Sequence, residues 1–159
     1  MRIKVDRDYE RQGIATKMMK MAHELEGETH MKFNSLIPEL TVTDIERTKD
    51  FYLNILGFKM EYERPENKFI IVSLEGNQMM LEQENGHWSV GELEYPFGRG
   101  INFEMTVSDV DAIYKRVLDA GIKPFHEMQV SNYRSNDEVV VQKEFLVQDP
   151  DGYLLRFSD

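Results

Sequence analysis

The feature that most limits what this chain can fold into is an internal repeat. Thr41-Val42-Thr43-Asp44-Ile45 returns later as Thr106-Val107-Ser108-Asp109-Val110. Each copy opens a helical pattern: Thr43 and Asp44 in the first, Ser108 and Asp109 in the second, offer side-chain oxygens to the free N–H groups of a first turn. Ile45, Thr48, Phe51, Tyr52 and Ile55 then form one stripe, and Val110, Ile113, Val117 and Leu118 the other. Both helices stop at a glycine, Gly57 and Gly121, suited to a left-handed C-terminal residue.

Extended segments follow each helix. In the first copy they span about 58–63, 68–74 and 78–83, with Glu75-Gly76-Asn77 as a hairpin turn. In the second they span about 123–128, 139–147 and 153–157, with Asp149-Pro150-Asp151-Gly152 in the matching place. Residues 130–138 lack a strand pattern and read as a polar loop able to move. The pattern predicts an α+β fold, two tandem βαβββ modules whose strands make a concave half-barrel sheet with the helices outside. Two copies make a duplicated domain rather than a solenoid, because each half offers a face to cover the other. Module 1 spans about 34–86, a link rich in glycine and aromatics 87–99, and module 2 about 100–158.

Charge divides the chain as well. Residues 1–30 hold six basic and six acidic residues, so the whole net charge of −10 belongs to residues 31–159. An acidic chain is a poor partner for nucleic-acid backbones or anionic membranes, which reward basic patches. No apolar run reaches the length of a membrane helix and residues 1–10 lack a secretory apolar region, so a cytoplasmic location is expected. The chain has no cysteine, which excludes disulfides, thiolate catalysis and Cys-ligated zinc or iron–sulfur sites.

Residues 1–30 read as a strand, a glycine turn and a helix. Tyr9-Glu10-Arg11-Gln12-Gly13-Ile14-Ala15-Thr16 resembles the pyrophosphate-binding loop of acetyl-CoA-dependent N-acetyltransferases. Glu10 stands where that family has Gln or Arg and would repel phosphate, and the likeness ends at Gly27. The segment is therefore read as a non-functional appendage to a domain at 31–159.

The repeat, with Pro38-Glu39-Leu40-Thr41-Val42-Thr43-Asp44, Phe51-Tyr52, Leu56-Gly57-Phe58 and Phe145-Leu146-Val147-Gln148-Asp149-Pro150-Asp151-Gly152-Tyr153, resembles the vicinal oxygen chelate superfamily. That group includes glyoxalase I, extradiol dioxygenases, fosfomycin-modifying enzymes and bleomycin-resistance proteins. The resemblance implies two halves around a cleft, and commonly a homodimer. In its metalloenzymes a divalent ion sits on inward side chains, and three of those places hold Ile37, Asn102 and Arg156 here. The fourth aligns with Glu82 or with Met80. One carboxylate at best survives, and a guanidinium stands in the shell, so neither a metal nor another cofactor is expected, and no catalytic residue is assigned.

Strand parity selects what the cleft offers instead. Pro38, Leu40 and Val42, like Phe103, Met105 and Val107, are expected to pack under the helices. Ile37, Glu39 and Thr41 then face the cleft, as do Asn102, Glu104 and Thr106. Glu39 and Glu104 are paired by the repeat, with Glu82 as a third acid, Arg156 as a counter-charge and Met80 beside them. Trp88, Tyr95 and Phe97 in the link and Tyr133 in the polar segment supply rings. Acids beside rings suit a small, planar or cationic organic ligand. The same residues admit other readings: the acids as surface groups paired to basic residues, the rings as a plug between halves or a dimer contact.

The resemblance is closest to the metal-free bleomycin-resistance branch, which sequesters a basic antibiotic in a dimer cleft; Ile37-Pro38-Glu39-Leu40 and Lys143-Glu144-Phe145 carry it. That branch has a tryptophan before the last hairpin, where this chain has Tyr133 and Arg134. Two alternatives stand beside sequestration. One is a glyoxalase-like or dioxygenase-like enzyme whose metal sits on Glu39, Glu82 and Glu104; the other is an interaction module with a filled cleft.

Overall fold

A computed structural model describes residues 31–159 of the chain. The strand and helix expected over residues 1–30 lie outside the described residues. Asn34–Asp159 form one compact unit. In module 1, β1 (Glu39–Val42) leads into α1 (Ile45–Lys49), which continues as a π-helical stretch, Asp50–Leu56. Then follow β2 (Lys59–Arg64), a 3-10 turn, β3 (Phe69–Leu74) and β4 (Asn77–Gln83). Module 2 repeats the order with β5 (Asn102–Thr106), α2 (Val110–Asp119), β6 (His126–Ser135), β7 (Glu138–Gln148) and β8 (Leu154–Ser158). The two sheets share one topology, β1-β4-β3-β2 and β5-β8-β7-β6, in which only the first pair is parallel. The duplicated α+β fold is as expected, and the halves are two four-stranded sheets, not one closed barrel.

The caps explain why the helices start where they do. Asp44 accepts hydrogen bonds from the backbone of Glu46 and Arg47, and Asp109 from that of Ala112. Gly57 ends the first helix at φ +85°. The 74–77 hairpin turns through Glu75 and Gly76, both at positive φ, the backbone form that matches strand twist in a two-residue loop.

Thr43 and Ser108 do not cap their own helices; they join the modules. Thr43 donates its N–H and its hydroxyl to the two carboxylate oxygens of Asp151, at 3.2 and 2.5 Å. Ser108 does the same to Glu75, at 2.6 and 2.9 Å. Asp151 and Glu75 lie in equivalent turns of opposite modules. Two residues further on in each turn, Tyr153 OH donates to the Thr41 carbonyl and Asn77 Nδ2 to the Thr106 carbonyl. The duplication is thus visible as two pairs of reciprocal clasps.

Between them lies one shared core. Leu40, Val42, Ile70, Val72, Met79 and Leu81 from the first sheet meet Met105, Val107, Phe145, Val147, Leu155 and Phe157 from the second, with helix residues Phe51, Tyr52, Ile113 and Val117. The parity assignment of β1 and β5 holds: Leu40 and Val42 are buried, Met105 and Val107 likewise, and Phe103 packs against the core. Phe97 belongs to this core too, edge-on to Tyr153 at 5.8 Å, so the link plugs the module junction there. No helix among the described residues is long and apolar enough to cross a membrane.

One expected loop is a strand. Residues 130–138 form the outer part of a long β6–β7 hairpin, with Tyr133 opposite Val140 and Ser135 opposite Glu138. The polar composition concealed a period of two: Gln129, Ser131 and Tyr133 project to one face, where a buried carboxylate receives them. The β-branched run Val139–Val141 supplies the strand preference of the partner.

Candidate functional site

Each sheet has a face turned away from the helices, and side chains come to it by register. On the first sheet two cross-strand rows lie side by side: Glu39, Met80, Ile71 and Tyr62, then Thr41, Glu82, Phe69 and Arg64. Glu82 is 7% exposed and accepts a hydrogen bond from Trp88 Nε1 at 2.9 Å. Burial, and then the charge of Glu82, raise the Glu39 carboxyl above the usual carboxylate range against the opposing pull of Arg64. The Arg64 guanidinium lies over the Phe69 ring at 3.9 Å from its centroid. Two carboxylates, a tryptophan and a phenylalanine thus converge on one face, which also carries Thr41 and Met80.

The second sheet's face is a closed polar network. Its centre is Glu144, which is 1% exposed. Its carboxylate accepts from Ser131 Oγ at 2.6 Å, Tyr133 OH at 2.5 Å, Gln129 Nε2 at 3.4 Å and Arg156 Nε. Burial pushes this carboxyl up, but the two hydroxyls and the guanidinium outweigh it and hold it below the usual range. Arg156 also donates to Tyr133 OH at 2.8 Å and approaches Glu104 at 3.6 Å. Glu104 is bonded by Gln142 Nε2 at 2.7 Å. Asn102 is at the exposed start of β5, opposite Leu154.

The paired glutamates of the repeat therefore have different neighbours. Glu39 has Glu82 and Arg64 as its charged company; Glu104 has Arg156. Among the described residues no contact joins them, and they stand on strands of separate sheets. Tyr95 is exposed and lies over Gly152 at the 149–152 turn, away from both faces. Glu144, Arg64 and Phe69 were not singled out from sequence. Parity carried back from Val147 along β7 would have placed Glu144 on the same face as Gln142.

The turn itself holds an unusual carboxylate. Asp149 accepts from the backbone N–H of Asp151 and Tyr153 at 3.0 and 2.8 Å, and from Tyr52 OH at 3.1 Å. Burial outweighs these donors and raises its carboxyl to about 6. Burial together with the charges of Asp149 and Asp151 raises the Tyr153 hydroxyl to about 12. A cavity of about 460 Å³ opens at the end of the first sheet, lined by Ile45, Lys49, Glu63, Lys68, Phe69 and Gln83 among others; it shares Phe69 with the acidic face but does not include Glu39, Glu82 or Trp88.

The residues present do not fit a divalent ion at the superfamily's usual place. Arg156 fills the last-strand position and is already bound by Glu144, and Glu82 is engaged by an indole N–H. Among the described residues no three His, Cys, Asp or Glu side chains gather closely enough to hold a metal.

Tandem βαβββ modules, each a four-stranded sheet whose first pair of strands is parallel, define the fold class. A family model described as Glyoxalase/Bleomycin resistance protein/Dioxygenase superfamily matches residues 30–157, and the chain belongs to that superfamily. It is 36% identical to a glyoxalase/bleomycin resistance protein/dioxygenase superfamily member from Vibrio splendidus 12B01, over 77% of this chain and 95% of that one, with a TM-score of 0.35. It is 22% identical to TioX from Micromonospora sp. ML1, over 79% and 98% of the two chains, with a TM-score of 0.60. A glyoxalase/bleomycin resistance protein/dioxygenase from Alicyclobacillus acidocaldarius shares 23% identity over 80% and 93%, with a TM-score of 0.53. No curated protein matches.

Proposed function

We propose that this protein binds a small, planar, cationic organic molecule without a metal, and that sequestration of a basic antibiotic is its use. The observation that carries this reading is the face of the first sheet, where Glu39 and Glu82 stand beside Trp88 and Phe69. Carboxylates neutralise a cation, and flat rings give it a stacking surface. The Arg156–Glu144 pair supports the metal-free part, because a guanidinium held by a buried carboxylate stands where the enzymes of the superfamily need a ligand. The alternative is a glyoxalase-like or dioxygenase-like enzyme with a metal held by relocated ligands, though Glu39, Glu82 and Glu104 do not come together among the described residues.

A homodimer in the cytoplasm is part of the proposal. The outer β6–β7 hairpin supports it: Val130, Val139, Val140 and Val141 are between 47% and 65% exposed. A two-stranded ribbon with uncovered valines is marginal in water, and a second copy would cover it.

Titration with bleomycin, followed by the fluorescence of Trp88, the single tryptophan, tests the ligand. Saturation at micromolar concentration is expected, and a flat trace overturns antibiotic binding. Metal analysis of the purified protein separates the alternatives: a stoichiometric divalent ion that is lost in Glu82→Gln establishes the enzyme reading instead. Sedimentation equilibrium of the protein and of Val140→Lys tests the dimer, which the substitution should dissociate.

A further inference from the structure

We infer that Arg64 is a built-in occupant of the acidic face, and that the ligand class is a flat amidinium or guanidinium that displaces it. This rests on the cation-binding reading above and names both the ligand's head group and the group it must compete with. Phe69 is only 2% exposed although it stands on a sheet face with no helix over it. What covers it is Arg64, whose guanidinium carbon is 3.9 Å from the ring centroid, with the Tyr62 ring tilted beside it at 5.9 Å. Register brings the stack to the acids: Arg64, Phe69, Glu82 and Thr41 are successive members of one cross-strand row.

The hold on Arg64 is weak for a specific reason. Among the described residues no hydrogen bond or ion pair fixes its guanidinium, and the ring contact is its one geometric tie. It projects from the exposed end of an edge strand, just before Pro65, so it can swing to solvent without disturbing the core. The acids beside it remain under-used. Glu82 has one oxygen engaged by Trp88, and among the described residues the Glu39 side chain makes no hydrogen bond. A ring-borne amidinium placed on Phe69 supplies what Arg64 supplies, a planar cation over an aromatic face. It adds N–H donors toward the two carboxylates and apolar area against the half-buried Met80. A neutral amide of the same shape lacks the charge that Glu39 and Glu82 select for.

Benzamidinium chloride is the probe, benzamide its neutral control, and Trp88 fluorescence the readout on the full chain. The wild type is expected to bind benzamidinium saturably and benzamide far more weakly. Arg64→Ala should bind benzamidinium about two- to fivefold more tightly, the equilibrium equivalent of an exposed cation–π contact released from competition. Glu82→Gln should weaken it. If the wild type binds and Arg64→Ala binds equally or more weakly, the displacement idea is overturned while the cation site stands. If neither folded protein binds, or benzamide binds as well as benzamidinium, the cation-binding reading fails and this inference with it.

Discussion

Asp149 is the carboxylate whose replacement gives the sharpest test of how the modules are joined. It lies in the Asp149-Pro150-Asp151-Gly152 turn, 3% exposed, and its native carboxyl is raised from 3.8 to about 6, chiefly by burial. A raised acid pKa means that the folded chain holds the proton more tightly than the unfolded chain. Between about pH 4 and pH 6 the native state is therefore the more protonated one, and stability from this group falls as pH rises. Below the unfolded value both states are protonated, and above about 6 the buried charge weighs in full. A shift of this size corresponds to about 3 kcal/mol across the window.

Asp149→Asn removes the charge while leaving one oxygen for the N–H groups of Asp151 and Tyr153, and Tyr52 OH can turn to accept from the new amide. Urea unfolding of both proteins from pH 4 to pH 7 yields a difference curve that cancels the other titrating groups, including Glu39, whose shift has the same sign. Wild-type stability relative to the variant should drop by about 3 kcal/mol from the acid to the neutral end. A flat difference curve, or one rising with pH, refutes the assignment of a buried, raised carboxylate to Asp149.

Arg156→Ala leaves Glu144 buried without its cation and should destabilise the fold by about 3 kcal/mol in urea titrations, much of it recovered when Glu144→Gln is added. Gly152→Ala forces a Cβ to within 2.6 Å of the Pro96 backbone at a residue with φ +91°; a loss of more than about 2 kcal/mol, read as a lower unfolding midpoint, is expected. Glu75→Ala removes both hydrogen bonds from Ser108 at an exposed site and should lower stability by only about 1 kcal/mol.

What the sequence made legible followed periodicity and repetition. Repeated helix starts, glycine stops and hairpin turns located both modules, and alternation placed Glu39 and Thr41 opposite Leu40 and Val42. Two things escaped it for physical reasons. The 130–138 segment was hidden because its inward residues are polar, and alternation of polar with polar carries no hydropathy signal; only the buried acceptor Glu144 makes Gln129, Ser131 and Tyr133 an inward set. The neighbours of Glu39 and Glu104 could not be deduced from their equivalence in the repeat, because symmetry of position fixes the strand and not the side chains across from it. Composition alone leaves Phe97 on a ligand surface or in a plug between the halves, and its edge-on packing against Tyr153 is what distinguishes the two.

The reciprocal clasps of the two modules are equal in pattern and unequal in setting. Asp151, which holds Thr43, is 2% exposed and is reinforced by Arg47 at 3.0 Å, whereas the Glu75 seat for Ser108 lies in solvent. Water can compete for one carboxylate far better than for the other. A junction inherited from duplication as a symmetric object thereby gains a direction: it frays from the Ser108 end, whose amide should exchange its hydrogen well before that of Thr43.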